Sequence, residues 1–172
     1  KLMQELYEKY KLLTYPRTSS RYISKDIEPQ LPLLIDKLSK LNEYSAFTSE
    51  IKEKNFSIAK RMVDDKKVTD HHAIIPTGKD PMKARMSPDE KWIFDLISRR
   101  FIAVFSANAL FDMTNIVVEI QPKADFELPK GVKSPLRFRA KGKIRVQAGW
   151  QEIDPPAKHK DSELPDLTEG DA

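Results

Sequence analysis

Residues 14–22 read Thr-Tyr-Pro-Arg-Thr-Ser-Ser-Arg-Tyr, and they set a phenol, Tyr15, two positions before a guanidinium, Arg17. Pro16 between them locks its own φ at about −65° and biases Tyr15 toward extended backbone. In extended backbone, residues i and i+2 project to one side. The segment is therefore expected to be short and stiff, with Tyr15 and Arg17 presented together. Arg21 and the hydroxyls of Thr14, Thr18, Ser19 and Ser20 crowd around them. Guanidinium and hydroxyl donors suit a phosphate, and a phenol oxygen can act as a nucleophile toward phosphorus.

A phenol needs help for that task. In water it ionises near pH 10, so only about one in a thousand is phenolate at pH 7. A neighbouring cation favours the ionised form and neutralises charge that develops on a phosphoryl group under attack. Local chemistry also allows an ordinary turn, with tyrosine packed and arginine solvated. Taken alone, the motif leaves both readings open.

A second constellation, residues 69–77, reads Thr-Asp-His-His-Ala-Ile-Ile-Pro-Thr. Adjacent histidines in an extended segment face opposite sides, so His71 and His72 make a poor chelate. A histidine that hydrogen-bonds a phosphate is the better functional reading, and a structural pair in a turn is the plain one.

The elements that must position these residues follow from periodicity. Residues 1–13 carry Leu2, Met3, Leu6, Tyr7, Tyr10 and Leu13 at helical spacing and deliver the chain into the tyrosine segment. A helix is predicted from about Asp26, as N-cap, to Leu41, with Leu31, Leu34, Ile35, Leu38 and Leu41 as its buried stripe. Short helices are predicted near Thr48–Lys52 and Ser57–Met62. Ser87-Pro88-Asp89-Glu90 is a capping box with proline at the first helical position. The helix it opens should bury Trp92, Ile93, Leu96, Ile97, Phe101, Val104 and Phe105 and end near Ser106–Asn108.

Beyond it the period changes to two. Residues 112–121 alternate around Ile116, Val118 and Ile120. From Leu136 to Trp150 one parity is apolar, while Arg137, Arg139, Lys141, Lys143 and Arg145 fall on the other. Gly142 is expected to mark a bulge or bend. The basic parity reads either as a solvated outer face or as a surface for phosphates. The fold class expected is α+β: a mainly helical domain over 1–109, then a partial antiparallel β domain over 110–172. After Pro155-Pro156, Leu164-Pro165-Asp166-Leu167 reads as the start of another strand.

Composition sets outer limits. The 172 residues are 40% apolar and 33% charged, with a net charge of +4 and a pI of 9.1. That suits a soluble protein with a polyanionic partner. No apolar run approaches the roughly 18 residues of a membrane helix. The absence of cysteine rules out disulfides, thiolate metal sites and cysteine nucleophiles and suits a reducing cytosol. The chain opens mid-helix without a starting Met, so it is expected to be a piece of a longer protein.

The two motifs together resemble one family. Leu6-Tyr7-Glu8 followed by Leu13-Thr14-Tyr15-Pro16-Arg17-Thr18-Ser19-Ser20-Arg21-Tyr22 is similar to the active-site tyrosine region of type IA DNA topoisomerases, in the form of the bacterial topoisomerase III branch. Asp70-His71-His72-Ala73-Ile74-Ile75-Pro76-Thr77 resembles that branch's second motif. The strand Phe138-Arg139-Ala140-Lys141-Gly142 resembles part of the β-rich gate region. The resemblance implies a tyrosine-bearing domain over 1–109 and part of the gate domain after it. It implies ATP-independent cleavage of one DNA strand through a 5′-phosphotyrosine link, passage of a strand, and rejoining, in the bacterial cytoplasm at the nucleoid. By the same resemblance Tyr15 and Arg17 are the catalytic pair. Thr18, Ser20, Arg21, His71 and His72, together with Arg137, Arg139 and Lys141 of the basic parity, are expected to contact single-stranded DNA. One departure stands out: the family usually carries Thr-Asp-Ser after the arginine, and this chain has Ser19 in place of Asp.

The family's Mg2+ site is a cluster of acids in a separate domain. No Asp-x-Asp-x-Glu occurs here, and Asp64-Asp65 is an isolated pair. The chain alone is therefore expected to be inactive and to need the remaining domains of its parent. As a fragment it is expected to be a monomer or to dimerise through open strand edges. The alternatives are a non-catalytic single-stranded nucleic-acid-binding module on the same scaffold, or a purely structural interaction domain.

Overall fold

The start of the longest helix follows directly from its first four residues. Glu90 N–H donates to Ser87 Oγ (3.3 Å), and Ser87 N–H donates to Glu90 Oε2 (2.7 Å), which satisfies two of the amide donors a helix start leaves open. In the computed structural model, which describes residues 1–53, 62–123, 126–156 and Leu164, this helix, α4, spans Pro88–Ala103. Its buried face carries Phe94, Ser98, Phe101 and Ile102. Trp92 is 65% exposed and Leu96 44% exposed, so the expected stripe is rotated. The rotation puts Phe94, Phe101 and Ile102 into a core shared with Leu6 and Ile75. The helix ends at Ala103, before the expected Ser106–Asn108.

Helix α1 spans Leu2–Glu8, not residues 1–13. Lys11 adopts φ 57°, which turns the chain out of the helix, and Leu12 N–H reaches back to the Leu6 carbonyl (2.8 Å). Leu12 and Leu13 are then buried in extended backbone, each 1% exposed. Thr14 N–H donates to the Ile75 carbonyl (3.0 Å) and Thr77 N–H to the Leu12 carbonyl (2.9 Å). Partners distant in sequence thus replace the helical bonds the local pattern suggested.

Helix α2 is Leu31–Leu38, preceded by a 3-10 turn at Glu28–Gln30, and α3 is Asn42–Glu53. The expected start at Asp26 is displaced because Pro29 and Pro32 each favour a first-turn position. Asp26 caps no helix, and its carboxyl is held below the usual range chiefly by a hydrogen bond from Ser24. The expected stripe holds: Leu31, Leu34, Ile35 and Leu38 are buried, and Leu41 packs on them partly buried. The helix expected at Ser57–Met62 lies outside the described residues except for Met62, and so does the strand expected at 164–167 except for Leu164.

By packing, Lys1–Asn108 and Gly149–Pro155 form one unit, and Ala109–Ala148 with Pro156–Ala172 form another. Gly149–Pro155 therefore does not stay with the β residues before it, as a single division near residue 110 had it. Trp150 N–H donates to the Ala107 carbonyl (2.9 Å), Ile153 is buried, and Asp154 pairs with Arg100. Gly149 has φ 51°, and a Cβ there would lie 2.4 Å from the Asn108 carbonyl oxygen. Only glycine fits so close a backbone crossing.

In the second unit, β1 (Leu110–Ile120) and β2 (Leu136–Gln147) pair antiparallel. Residues opposite one another share a face. Leu136, Phe138, Ala140 and Ile144 therefore share theirs with Ile120, Val118 and Ile116. The basic parity shares its face with Phe111, Met113, Val117 and Glu119. The register shift falls between Leu110 and Phe111, opposite Gln147 and Arg145. Val146 is thus the extra residue, and Gly142 pairs in register with Thr114. The strand ends at Gln147, so Trp150 belongs to no strand.

Two outcomes follow from the first unit. Ser87→Ala removes the cap of α4 and should cost about 1 kcal/mol of stability, read by urea unfolding. Tyr44 donates to Asp95 Oδ1 (3.0 Å), and burial first, then the Asp95 charge, pushes its phenol well above the ordinary range. Folding thus favours the neutral phenol. The stability this brings is fully present below about pH 10 and is lost as pH rises toward the folded ionisation. Comparing unfolding of wild type and Tyr44→Phe across alkaline pH should show the extra loss only in wild type.

Candidate active site

The tyrosine segment is a loop tied at both ends to one short stretch. At its start, Thr14 N–H bonds the Ile75 carbonyl, and Thr14 Oγ1 accepts from Ile75 N–H (2.9 Å). At its end, Ala73 N–H donates to the Tyr22 carbonyl (2.8 Å). Residues 15–21 therefore arch over Ala73–Ile75. Beyond the arch, Ile23 N–H donates to the Met62 carbonyl (2.8 Å) and Asp64 N–H to the Ile23 carbonyl (3.2 Å).

Inside the arch two hydroxyls do the folding. Thr18 Oγ1 donates to the His71 carbonyl (2.8 Å) and accepts from Ser20 N–H (3.0 Å). Ser20 Oγ donates to the Lys67 carbonyl (3.1 Å) and accepts from Tyr22 N–H (3.1 Å). Ser19 is exposed and takes no part in this network. The chain bends at Pro16, so the segment is not extended throughout.

These bonds bring the two sequence motifs together at their side chains. The Tyr15 ring lies 4.2 Å from the His71 ring, tilted by 41°. Tyr7 of α1 also meets it edge to face at 5.4 Å, with planes at 83°. Tyr15 is half-buried, while Arg17, Arg21 and His71 are exposed. Among the described residues no carboxylate pairs with Arg17 or Arg21. His72 turns elsewhere: its Nδ1 lies 2.7 Å from the Ala73 carbonyl, so Nδ1 carries the proton in that contact. A half-buried phenol beside an imidazole, in one loop with two exposed guanidinium groups, is a set of groups chemically suited to a phosphodiester.

Asp64 and Asp65 are structural. Asp64 accepts from Lys66 N–H and pairs with Lys67 (3.2 Å), and Asp65 accepts from Lys25 N–H. Among the described residues no three His, Asp or Glu side chains gather so as to hold a metal ion. A cavity of about 740 Å³ lies behind the loop, walled by residues including Arg21, Ile75, Phe101 and Trp150. Several of its polar groups are already engaged: Ser20 as above, Ser106 with the Ile102 carbonyl, and Arg100 with Asp154.

In the second unit Arg137 pairs with Glu119 (2.7 Å), and Lys143 stands 3.8 Å over the Phe111 ring. The basic parity is thus partly compensated within its own sheet. Arg139 and Lys141 lie exposed on the same strand. Sequence reasoning missed the part played by Tyr7 against Tyr15 and by Thr14 as the loop's anchor. The signal for Tyr7 was its place in the Leu6-Tyr7-Glu8 stretch of the family resemblance; in the fold the Lys11 ammonium lies 5.4 Å over its ring.

The family model described as DNA topoisomerase matches residues 1–172. DNA topoisomerase 3 of Bacillus subtilis strain 168 is 35% identical over 177 residues, covering 99% of this chain and 22% of the relative. The Bacillus licheniformis protein of the same name is 34% identical over 176 residues, with the same shares covered. DNA topoisomerase 3 of Bacillus cereus strain ATCC 14579 is 35% identical over 178 residues, again 99% and 22%. The chain thus spans 22% of the length of these curated relatives. No described helix is long and apolar enough to cross a membrane. With the family model matching from its first residue to its last, the chain belongs to the DNA topoisomerase family.

Proposed function

We propose that Tyr15 is the nucleophile with which the parent protein cleaves one strand of DNA. The observation that carries this is the Tyr15 ring set against His71, in a loop whose Arg17 has no carboxylate partner among the described residues. In the step proposed, Tyr15 Oη bonds to the phosphorus and loses its proton. The P–O3′ bond breaks, and the leaving 3′ oxygen takes a proton. The product is a 5′-phosphotyrosine. Its ester keeps the bond energy, so after another strand passes, the 3′ hydroxyl can reverse the step without ATP. Arg17 offsets charge on the non-bridging oxygens.

The substrate in this reading is single-stranded DNA. Arg17, Arg21, His71 and the free Nε2 side of His72 supply its contacts near the break. Thr18 and Ser20 serve it indirectly, since their hydroxyl protons are already given to the His71 and Lys67 carbonyls. Arg139 and Lys141, with Arg137 in part, extend the contact to phosphates further along. Among the described residues no cluster fits a Mg2+ site, so we assign the metal to other domains of the parent. The site of action proposed is the bacterial cytoplasm, at the nucleoid. Alone, the chain would be a monomer or pair through the edges of β1 and β2, which among the described residues pair only with each other.

Ser19, where the family has Asp, favours a second reading: a module that binds single strands without cleaving. The loop's bonds run through Thr18 and Ser20 rather than Ser19, which supports the catalytic reading over it. Tyr15→Phe in the parent should abolish the covalent DNA adduct and leave single-strand binding within about twofold. Adduct retained by the variant would reject the nucleophile, and no adduct from the wild type would favour the binding module. Incubated alone with supercoiled plasmid and Mg2+, the chain should give no relaxed product on a gel. Relaxation by the chain alone would show that its own residues suffice.

A further inference from the structure

Tyr7 belongs to the Leu6-Tyr7-Glu8 stretch of α1. Its ring meets Tyr15 at 5.4 Å and 83°, in the range where aromatic pairs attract edge to face. Its own placement is fixed from two directions. It sits in α1 beside Leu6, which is fully buried, and the Lys11 ammonium lies 5.4 Å over its ring. Lys11 is in turn held where α1 ends: it takes the left-handed conformation, and its carbonyl accepts from Thr77 Oγ1 (2.6 Å). The Tyr15 ring thus touches both the His71 ring and the Tyr7 ring, and Tyr7 is anchored on α1, outside the loop.

We propose that Tyr7 is a positioning residue that clamps the Tyr15 ring against His71 and so fixes the direction of Oη. The proposal rests on the reading of Tyr15 as the nucleophile. A phenol bound through one flexible Cβ can swing by more than an ångström, and a misplacement of about 1 Å can cost roughly 100-fold in rate. The hydroxyl of Tyr7 is not required for this role, because the contact is made by the ring. Lys11 acts one step further out, as the cation that steadies Tyr7.

The test uses the parent protein and a single-stranded oligonucleotide, with the single-turnover rate of adduct formation measured at saturating DNA beside the dissociation constant. Tyr7→Phe keeps the ring and should react within about twofold of wild type. Tyr7→Leu removes the ring and should slow adduct formation by about 10- to 100-fold, with DNA affinity and thermal midpoint changed little. Tyr7→His, a smaller aromatic, gives a second reading should Tyr7→Leu fold poorly, and is expected between the two. Wild-type rates in Tyr7→Leu or Tyr7→His would overturn the clamp. So would a rate loss in Tyr7→Phe equal to that of Tyr7→Leu, or a loss that appears in affinity and not in rate. Tyr15→Phe, run alongside, separates the two ideas. If it still forms adduct, the nucleophile reading falls. If it forms none while Tyr7→Leu reacts normally, the clamp alone falls.

Discussion

Everything in the candidate site depends on one short piece of backbone pairing, in which Ala73–Ile75 receives both ends of the tyrosine loop. Thr14 and Ile75 lie 61 positions apart in sequence, and the bonds between them close a long segment. Each such hydrogen bond contributes only about 0.5–1.5 kcal/mol net, while an unmade one at a buried position costs more. The pairing is sustained because Leu12, Leu13 and Ile75 bury their side chains at the same place. Hydrophobic burial and backbone satisfaction therefore enforce the same register. Shifting it by one residue would turn Leu13 outward and unseat Tyr15 together.

That arrangement explains how an exposed loop can hold the Tyr15 side chain steadily. Loops position chemistry well only when a rigid frame fixes their ends. Here the frame is α1, α4 and the 73–75 stretch, and the loop's interior is tied by Thr18 and Ser20 to backbone carbonyls. The loop's cations are kept out of that internal bonding. Arg17 and Arg21 stay exposed, while acids nearby are engaged elsewhere, Asp64 with Lys67 and Asp65 with the Lys25 amide.

The β unit shows a different balance. Its two strands bury almost nothing of their own: Phe138, Ile144 and Val118 are each about half exposed, at 55%, 50% and 48%. A two-stranded ribbon has no layer of its own to pack against. Its basic face is not a bare row of like charges, since Glu119 and the Phe111 ring take up Arg137 and Lys143.

How far the sequence could be read depended on the range of the deciding interaction. The capping box at Ser87 was legible because all its partners lie within four residues. The alternation of β2 was legible because the pleat has period two. The chemistry of Tyr15, Pro16 and Arg17 could be named for the same reason, since residue type and spacing carry it. The end of α1, the bulge at Val146 and the return of Gly149–Pro155 to the first unit were not legible, because each is set by a partner far along the chain. By itself the sequence determined which groups could do chemistry and which segments could be helix or strand. Only the tertiary structure decided that Leu12–Thr14 leaves the helix to pair with Ile75–Thr77, and hence that Tyr15 meets His71 and Tyr7, because burying those leucines against a distant segment outweighs one more turn of local hydrogen bonds.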